Sequence, residues 1–184
     1  MRVLALADKR APVDPASIAL QARVDAILCL GDLDRAWVES IASLPIPRLG
    51  VHGNHDPDGF LRELDIEDLH GRRTALGGMT FAGMEGCVRY SRSGQHQYTQ
   101  KEGAKIARKL PAADVLLCHC PPLGINDDPD DPAHVGWEGL REWVDEHRPR
   151  HLFHGHTHPM PGRIATCHGD TQVHFVSGAR IVQL

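Results

Sequence analysis

The sequence predicts an α/β fold built on a parallel sheet. Short apolar runs at residues 3–7, 26–30, 49–51 and 115–118 look like buried strands. Helical segments separate the first three, giving a strand–helix–strand–helix–strand order over residues 2–52 with short connections. That order is the signature of a parallel sheet. Each run also ends at a polar cluster rich in Asp, Asn or His. In open α/β sheets, ligands bind just beyond the carboxyl ends of strands.

The elements follow in order. Asp14-Pro15 starts the first helix, with Asp as N-cap and Pro at the first helical position. Residues 16–23 continue it. Residues 33–43 form a second helix, stopped before Pro45 and Pro47. Residues 66–83 alternate short β-type runs with Gly71, Gly77 and Gly78, which predicts a meander. Residues 83–97 are polar and Gly-rich and read as a loop near the site. Residues 98–110 form a helix with Lys101, Glu102 and Lys105 on its wet face. After the strand at 115–119 comes a long loop, 121–134, carrying Asp127, Asp128, Asp130 and Asp131. Residues 138–147 form a helix with Leu140, Trp143 and Val144 on one face. Short strands are expected at 151–154, 163–167, 172–176 and 181–184. The chain shows no internal repeat and no linker long enough to separate domains.

The strand ends carry the chemistry. His154-Gly155-His156-Thr157-His158-Pro159 follows an apolar approach, and alternate residues of an extended segment face one side. Two such imidazoles can hold one metal ion or two neighbouring ions. Asp8, Asp32, Asn54, His55, His119, His156 and His158 can all converge on one rim. One Asp after one strand would read as a cap or turn residue. Five clusters of the same character at strand ends point to a site. Mixed Asp, Asn and His donors suit Mn, Fe, Zn, Co or Ni. The absence of thiolates argues against a structural zinc finger.

Gly31-Asp32, Gly53-Asn54-His55-Asp56, His119 and Gly155-His156-Thr157-His158 occur in that order. In these motifs the chain resembles the calcineurin-like metallophosphoesterases, over residues 1–184. Residues 83–90, Gln97-Tyr98-Thr99 and residues 119–128 resemble one bacterial subgroup. The resemblance implies an α/β (α+β) fold, a four-layer αββα sandwich of two mixed β-sheets flanked by helices. It implies one metallophosphoesterase domain over 1–184, without a cap domain. It assigns Asp8 and His158 to metal one, Asp32 as the bridge, and Asn54, His119 and His156 to metal two. One or two divalent ions are expected, Mn first among them. The implied reaction is hydrolysis of a phosphodiester or phosphomonoester by attack of a metal-bound hydroxide. His55 would protonate the leaving group or stabilise phosphoryl charge. Asp56 would either orient His55 or stabilise its turn.

One motif departs from the family. Its Asp-x-His reads Asp8-Lys9-Arg10 here, and a guanidinium has no lone pair to offer a metal. Metal one is therefore expected to bind more weakly than metal two. Arg10 either meets the substrate phosphate or points into solvent. Arg89 and Tyr90 are candidates for substrate contact. Asn126, Asp128 and His134 read as loop residues, although His134 and Asp128 come first as replacements for the missing imidazole. The Asp-rich loop lacks the EF-hand pattern.

Composition narrows the classes. The chain has 184 residues and a formal net charge of −4, with no basic block. That gives no strong signal for nucleic acid, while a phosphate substrate remains open because bound divalent ions would dominate local charge. No apolar stretch is long enough for a membrane span, and the N-terminal segment is too short for a secretory h-region. Five cysteines without a C-x-x-C framework read as reduced thiols in a cytoplasmic protein. The expected partner is a small phosphate ester. Two other functions stay open: a non-catalytic or weakly active metal-binding protein with a degraded first site, and a nuclease working on ends or single strands.

Overall fold

The computed structural model describes residues 1–92, 94–160 and 162–184. The first part of the chain forms β1 (Arg2–Ala7), α1 (Pro15–Ala22), β2 (Ala26–Cys29), α2 (Arg35–Val38), a 3-10 helix (Glu39–Ser43) and β3 (Arg48–Gly50). The middle forms α3 (Phe60–Glu63), β4 (Glu67–Asp68), β5 (Arg73–Leu76), β6 (Met79–Met84), β7 (Cys87–Val88), β8 (Gln97–Tyr98) and α4 (Gln100–Ala107). The rest forms β9 (Val115–Cys118), α5 (Glu138–His147), β10 (His151–His154), β11 (Cys167–His168), β12 (Thr171–Phe175) and β13 (Gly178–Gln183).

Two mixed sheets result. The first has order β13-β1-β2-β3-β4 and the second β11-β12-β10-β9-β6-β5. Strands β1 to β4 run parallel, with β13 antiparallel at the edge. In the second sheet β6, β9, β10 and β12 run parallel between antiparallel edges β5 and β11.

Strand alternation sorts the core into three layers. Val3, Ala5, Ala7, Leu28 and Leu49 of the first sheet pack against Phe81, Val115, Leu117 and Phe153 of the second. The alternate residues Leu4, Leu6 and Ile27 face Ala19 of α1, Trp37 of α2 and Phe60 of α3. On the far side, Leu116, Cys118 and Leu152 face Ala107 of α4 and Leu140, Trp143 and Val144 of α5. Each fully buried Leu or Phe stabilises the fold by roughly 1.5–3 kcal/mol relative to exposure. The four-layer sandwich is thus a direct product of the period-2 pattern. No helix among the described residues is long and apolar enough to cross a membrane.

Local chemistry sets the helix ends. The Asp14 carboxylate accepts the Ser17 N–H at 2.9 Å, and Pro15 opens α1, as the sequence predicts. Thr99 and Glu102 form a reciprocal capping box on α4. That box puts the helix start at Gln100, leaving Tyr98 in β8 instead of the helix expected from residue 98. The expected 33–43 helix splits into α2 and the 3-10 turn. Arg48 is buried beneath that turn and donates to the carbonyls of Ile41, Leu44 and Ile46, at 3.2, 2.7 and 3.0 Å. The expected meander is half present. β5 and β6 form an antiparallel hairpin, but β4 belongs to the first sheet. Residues 163–166 form no strand, and α3 is an additional short helix. Ser93, within the expected 83–97 loop, lies outside the described residues.

Candidate metal centre

The parallel strands of both sheets end on the same rim. Asp8 follows β1, Asp32 follows β2, Asn54 follows β3, His119 follows β9 and His156 follows β10. Three of these leave their strands with left-handed backbone: Asp8 (φ 53°), Asp32 (φ 52°) and His156 (φ 67°). Non-glycine residues rarely hold that conformation, and it clusters at functional sites. The Asp32 and Asn54 turns touch so closely that both contact points are glycine. A Cβ on Gly53 would overlap Asp32 Oδ1, and one on Gly31 would overlap the Gly53 amide.

Asp32, His119 and His156 each present a donor atom, and these atoms lie within 4.8 Å of one another. Second partners fix the rings. His119 is fully buried and its Nδ1–H donates to the Leu30 carbonyl at 2.8 Å. Its Nε2 then faces Asn54 Oδ1 at 3.0 Å and Asp32 Oδ2 at 3.4 Å. In the neutral ring these are three lone pairs facing each other. Only a proton or a metal cation between them satisfies the arrangement. His156 Nε2–H donates to the Ala133 carbonyl at 2.7 Å, which leaves the Nδ1 lone pair available to a metal. Asn54 Nδ2 donates to the Tyr90 hydroxyl at 3.1 Å, turning Oδ1 inward. Outer contacts of this kind orient metal ligands. The residues present therefore fit a divalent ion.

The titration pattern has the same origin. Burial alone would lower the His119 imidazole, but Asp32 and Asp8 outweigh it and push it up to about 9. Burial would raise the Asp32 carboxyl, but the His119 hydrogen bond and charge hold it below its ordinary value. Burial pushes Asp8 up to about 6. Burial, then the charge on His119, pushes His156 down to about 3. The cluster binds positive charge, which one imidazolium supplies in part and a bound metal would supply in full.

Asp8, Asp32, Asn54, His55, His156 and His158 line one open cleft of about 650 Å³. The amide of His156 donates to both Asp8 oxygens, at 3.0 and 3.2 Å, which joins the first and last motifs. His55 is exposed at the rim, with Nε2 4.0 Å from Asp32 Oδ2. His158 stands farther out, exposed, its ring centroid 5.1 Å from that of His134. A larger groove of about 850 Å³ runs past Leu44, Arg48 and Ile66, and the described residues that line it bring no three metal donors together.

For Asp56 and Arg10 the geometry matches one of the two alternatives left open, and Arg89 lies elsewhere than expected. Asp56 does not orient His55. Its carboxylate accepts the amides of Asp32 at 2.9 Å, Leu33 at 3.2 Å and Gly53 at 2.7 Å, so it stabilises the turns. Arg10 is exposed, and Lys9 lines the cleft in its place. Arg89 donates to the Gln97 carbonyl at 3.0 Å and to Glu102 at 3.3 Å, away from the cleft, because β7–β8 pairing turns it toward α4. Asn126 bridges His154 and the backbone of Ala165, as a loop residue should. Lys9 and the Ala133 carbonyl carry no sequence signal of their own.

A second histidine-rich group surrounds Glu85. His52 Nδ1 lies 3.0 Å and His96 Nδ1 3.4 Å from its carboxylate, and Tyr98 donates to it at 2.5 Å. The His52 and His96 rings stack 4.6 Å apart, only 10° from parallel. Two stacked rings cannot both aim in-plane lone pairs at one ion. The group is a hydrogen-bond hub that holds Glu85 ionised, with its carboxyl well below the ordinary range despite burial.

Comparisons with known proteins agree with this geometry. No curated protein sequence matches the chain. Among solved structures, one aligns with a TM-score of 0.64 at 16% identity, over 94% of this chain and 88% of that one. The protein TT1561 of Thermus thermophilus aligns with a TM-score of 0.56 at 16% identity, covering 94% and 87% of the two chains. A hypothetical protein from the same organism aligns with a TM-score of 0.55 at 16% identity, covering 97% and 76%. At that identity they show a shared fold. The calcineurin-like phosphoesterase profile matches residues 15–160, leaving the divergent Asp8-Lys9-Arg10 outside the match. With most of its length covered, the chain belongs to the calcineurin-like phosphoesterase family.

Proposed function

We propose that this chain hydrolyses a small phosphodiester or phosphomonoester, with divalent metal held by Asp32, Asn54, His119 and His156 and a second ion near Asp8 and His158. Mn is the first candidate among first-row ions. The observation that carries the reading is the convergence of Asp32, His119 and His156 on one point, reached from strand ends of both sheets. Bound divalent ions would neutralise phosphoryl charge and lower the pKa of water toward neutrality. The chain supplies the rest. Leu30 and Ala133 carbonyls fix the imidazole tautomers, and Tyr90 fixes Asn54. His55, exposed at the rim and held by its own N–H to Asp32 Oδ1 at 2.8 Å, is placed to pass a proton to a leaving alkoxide. The size and openness of the cleft suit a small or exposed substrate. The five cysteines are all free thiols, which suits a reducing, cytoplasmic setting.

The test is elemental analysis of the purified protein, then hydrolysis of generic mono- and diester substrates with each metal restored. Metal-dependent turnover supports the reading, and the substrate that is cleaved faster fixes its class. Full metal loading without turnover of either substrate would favour a metal-binding protein. Substrate binding with a steep salt dependence would favour a nuclease.

A further inference from the structure

We propose that His134 is the imidazole that completes the first metal site, in place of the one that Arg10 does not supply. The proposal rests on the reading of this cleft as a metal centre. Arg10 is exposed and outside the cleft lining, whereas His134 lies within it. The His134 ring sits 5.3 Å from the His156 ring and 5.1 Å from the His158 ring, centroid to centroid. The three imidazoles therefore form a continuous wall, although His134 stands in a loop more than twenty residues before the other two.

The tautomer of His134 is fixed from behind. Its Nδ1–H donates to Asp131 Oδ2 at 2.6 Å. Carboxylate backing of this kind orients a metal-binding imidazole and raises its basicity. It leaves Nε2 as the lone-pair donor. The segment is also tightly held. The Ala133 amide donates to Asp131 Oδ1 at 2.9 Å, and the Asp128 amide donates to the His134 carbonyl at 3.0 Å. The Ala133 carbonyl in turn accepts His156 Nε2–H at 2.7 Å. One short stretch thus anchors a metal-two ligand through its backbone and offers His134 through its side chain. Asp8 adds the carboxylate, with both oxygens directed at the His156 amide beside the same cleft.

The test is Co2+ stoichiometry and affinity by calorimetry, with the visible Co2+ spectrum as a coordination readout, on native protein, His134→Ala and Asp131→Asn. Two ions are expected in the native protein. His134→Ala should retain one and bind the second at least tenfold more weakly. Asp131→Asn keeps the ring and loses its orienting partner, so a roughly 10–100-fold weaker second site is expected. It also serves as the informative variant if His134→Ala fails to fold. A second ion bound as tightly without His134, or unaffected by Asp131→Asn, would overturn the proposal. Native protein holding one ion only would also overturn it, while leaving the reading of the Asp32, Asn54, His119 and His156 site intact. Native protein holding none would remove the metal-centre reading itself.

Discussion

The Gly53 amide donates to the Asp56 carboxylate at 2.7 Å, and that same carboxylate holds the amides of Asp32 and Leu33 from a different strand end. Asp56 is 2% exposed, so these bonds are made out of water. Replacing it by Asn would turn one acceptor into a donor facing backbone N–H groups. Asp56→Asn should destabilise the protein by about 2–4 kcal/mol in chemical denaturation. An unchanged unfolding midpoint together with a large loss of kcat would return Asp56 to the role of His55 partner.

His55→Ala should lower turnover by about 10²–10⁴-fold while leaving metal content unchanged. The reason is that His55 sits at the exposed rim, outside the converging donors. Elemental analysis alongside kinetics separates the two roles. Loss of an ion would make His55 a ligand.

Gly53→Ala should weaken metal binding at least tenfold and cost about 1–3 kcal/mol of stability. The added methyl would press directly on Asp32 Oδ1. Mn titration of the variant checks this. Undiminished affinity would mean that the two turns can separate without moving Asp32.

Acid stability should fall partly through His174. Burial, then its neighbours His151 and Arg180, pushes the imidazole down to about 4 from 6.5. The unfolded chain therefore binds more protons than the native one between about pH 4 and 6.5. The stabilisation is complete above pH 6.5 and declines as pH falls through that window. His174→Gln should flatten the decline by on the order of 2 kcal/mol in denaturation curves taken at pH 4.5 and 7.5. The decline will not vanish, because His154 is pushed down to about 4 by its own burial. A variant whose pH dependence matches the native protein would assign the effect elsewhere.

The strand ends were legible because apolar runs and their polar stops are local features. That Asp32, His119 and His156 share one rim could be read from sequence on that basis, as could the Asp14 cap and the helix over Glu138–His147. What stayed hidden depends on distant partners. The Asp56 carboxylate is spent on amides from another strand end, which no spacing reveals. Arg89 follows the small β7–β8 pairing, and that pairing is too short to leave a periodic signal. His52, Glu85 and His96 meet only because the fold brings three separate segments together. The two-residue β4 pairs in parallel with Leu49 and Gly50 of β3, and so short a strand carries no periodic signal of its partner.

Of the candidate donors, Asp32 and Asn54 come from one sheet and His119 and His156 from the other. Between those sheets lies an apolar layer, and apolar contact carries no preferred direction. A cation held by all four would act as a rivet through the sandwich, resisting shear of one sheet over the other. Metal removal should then be felt mechanically as well as chemically. Amides in the β1–β2–β3 and β9–β10 strands would exchange hydrogen faster, and the melting temperature would climb with metal concentration as mass action requires.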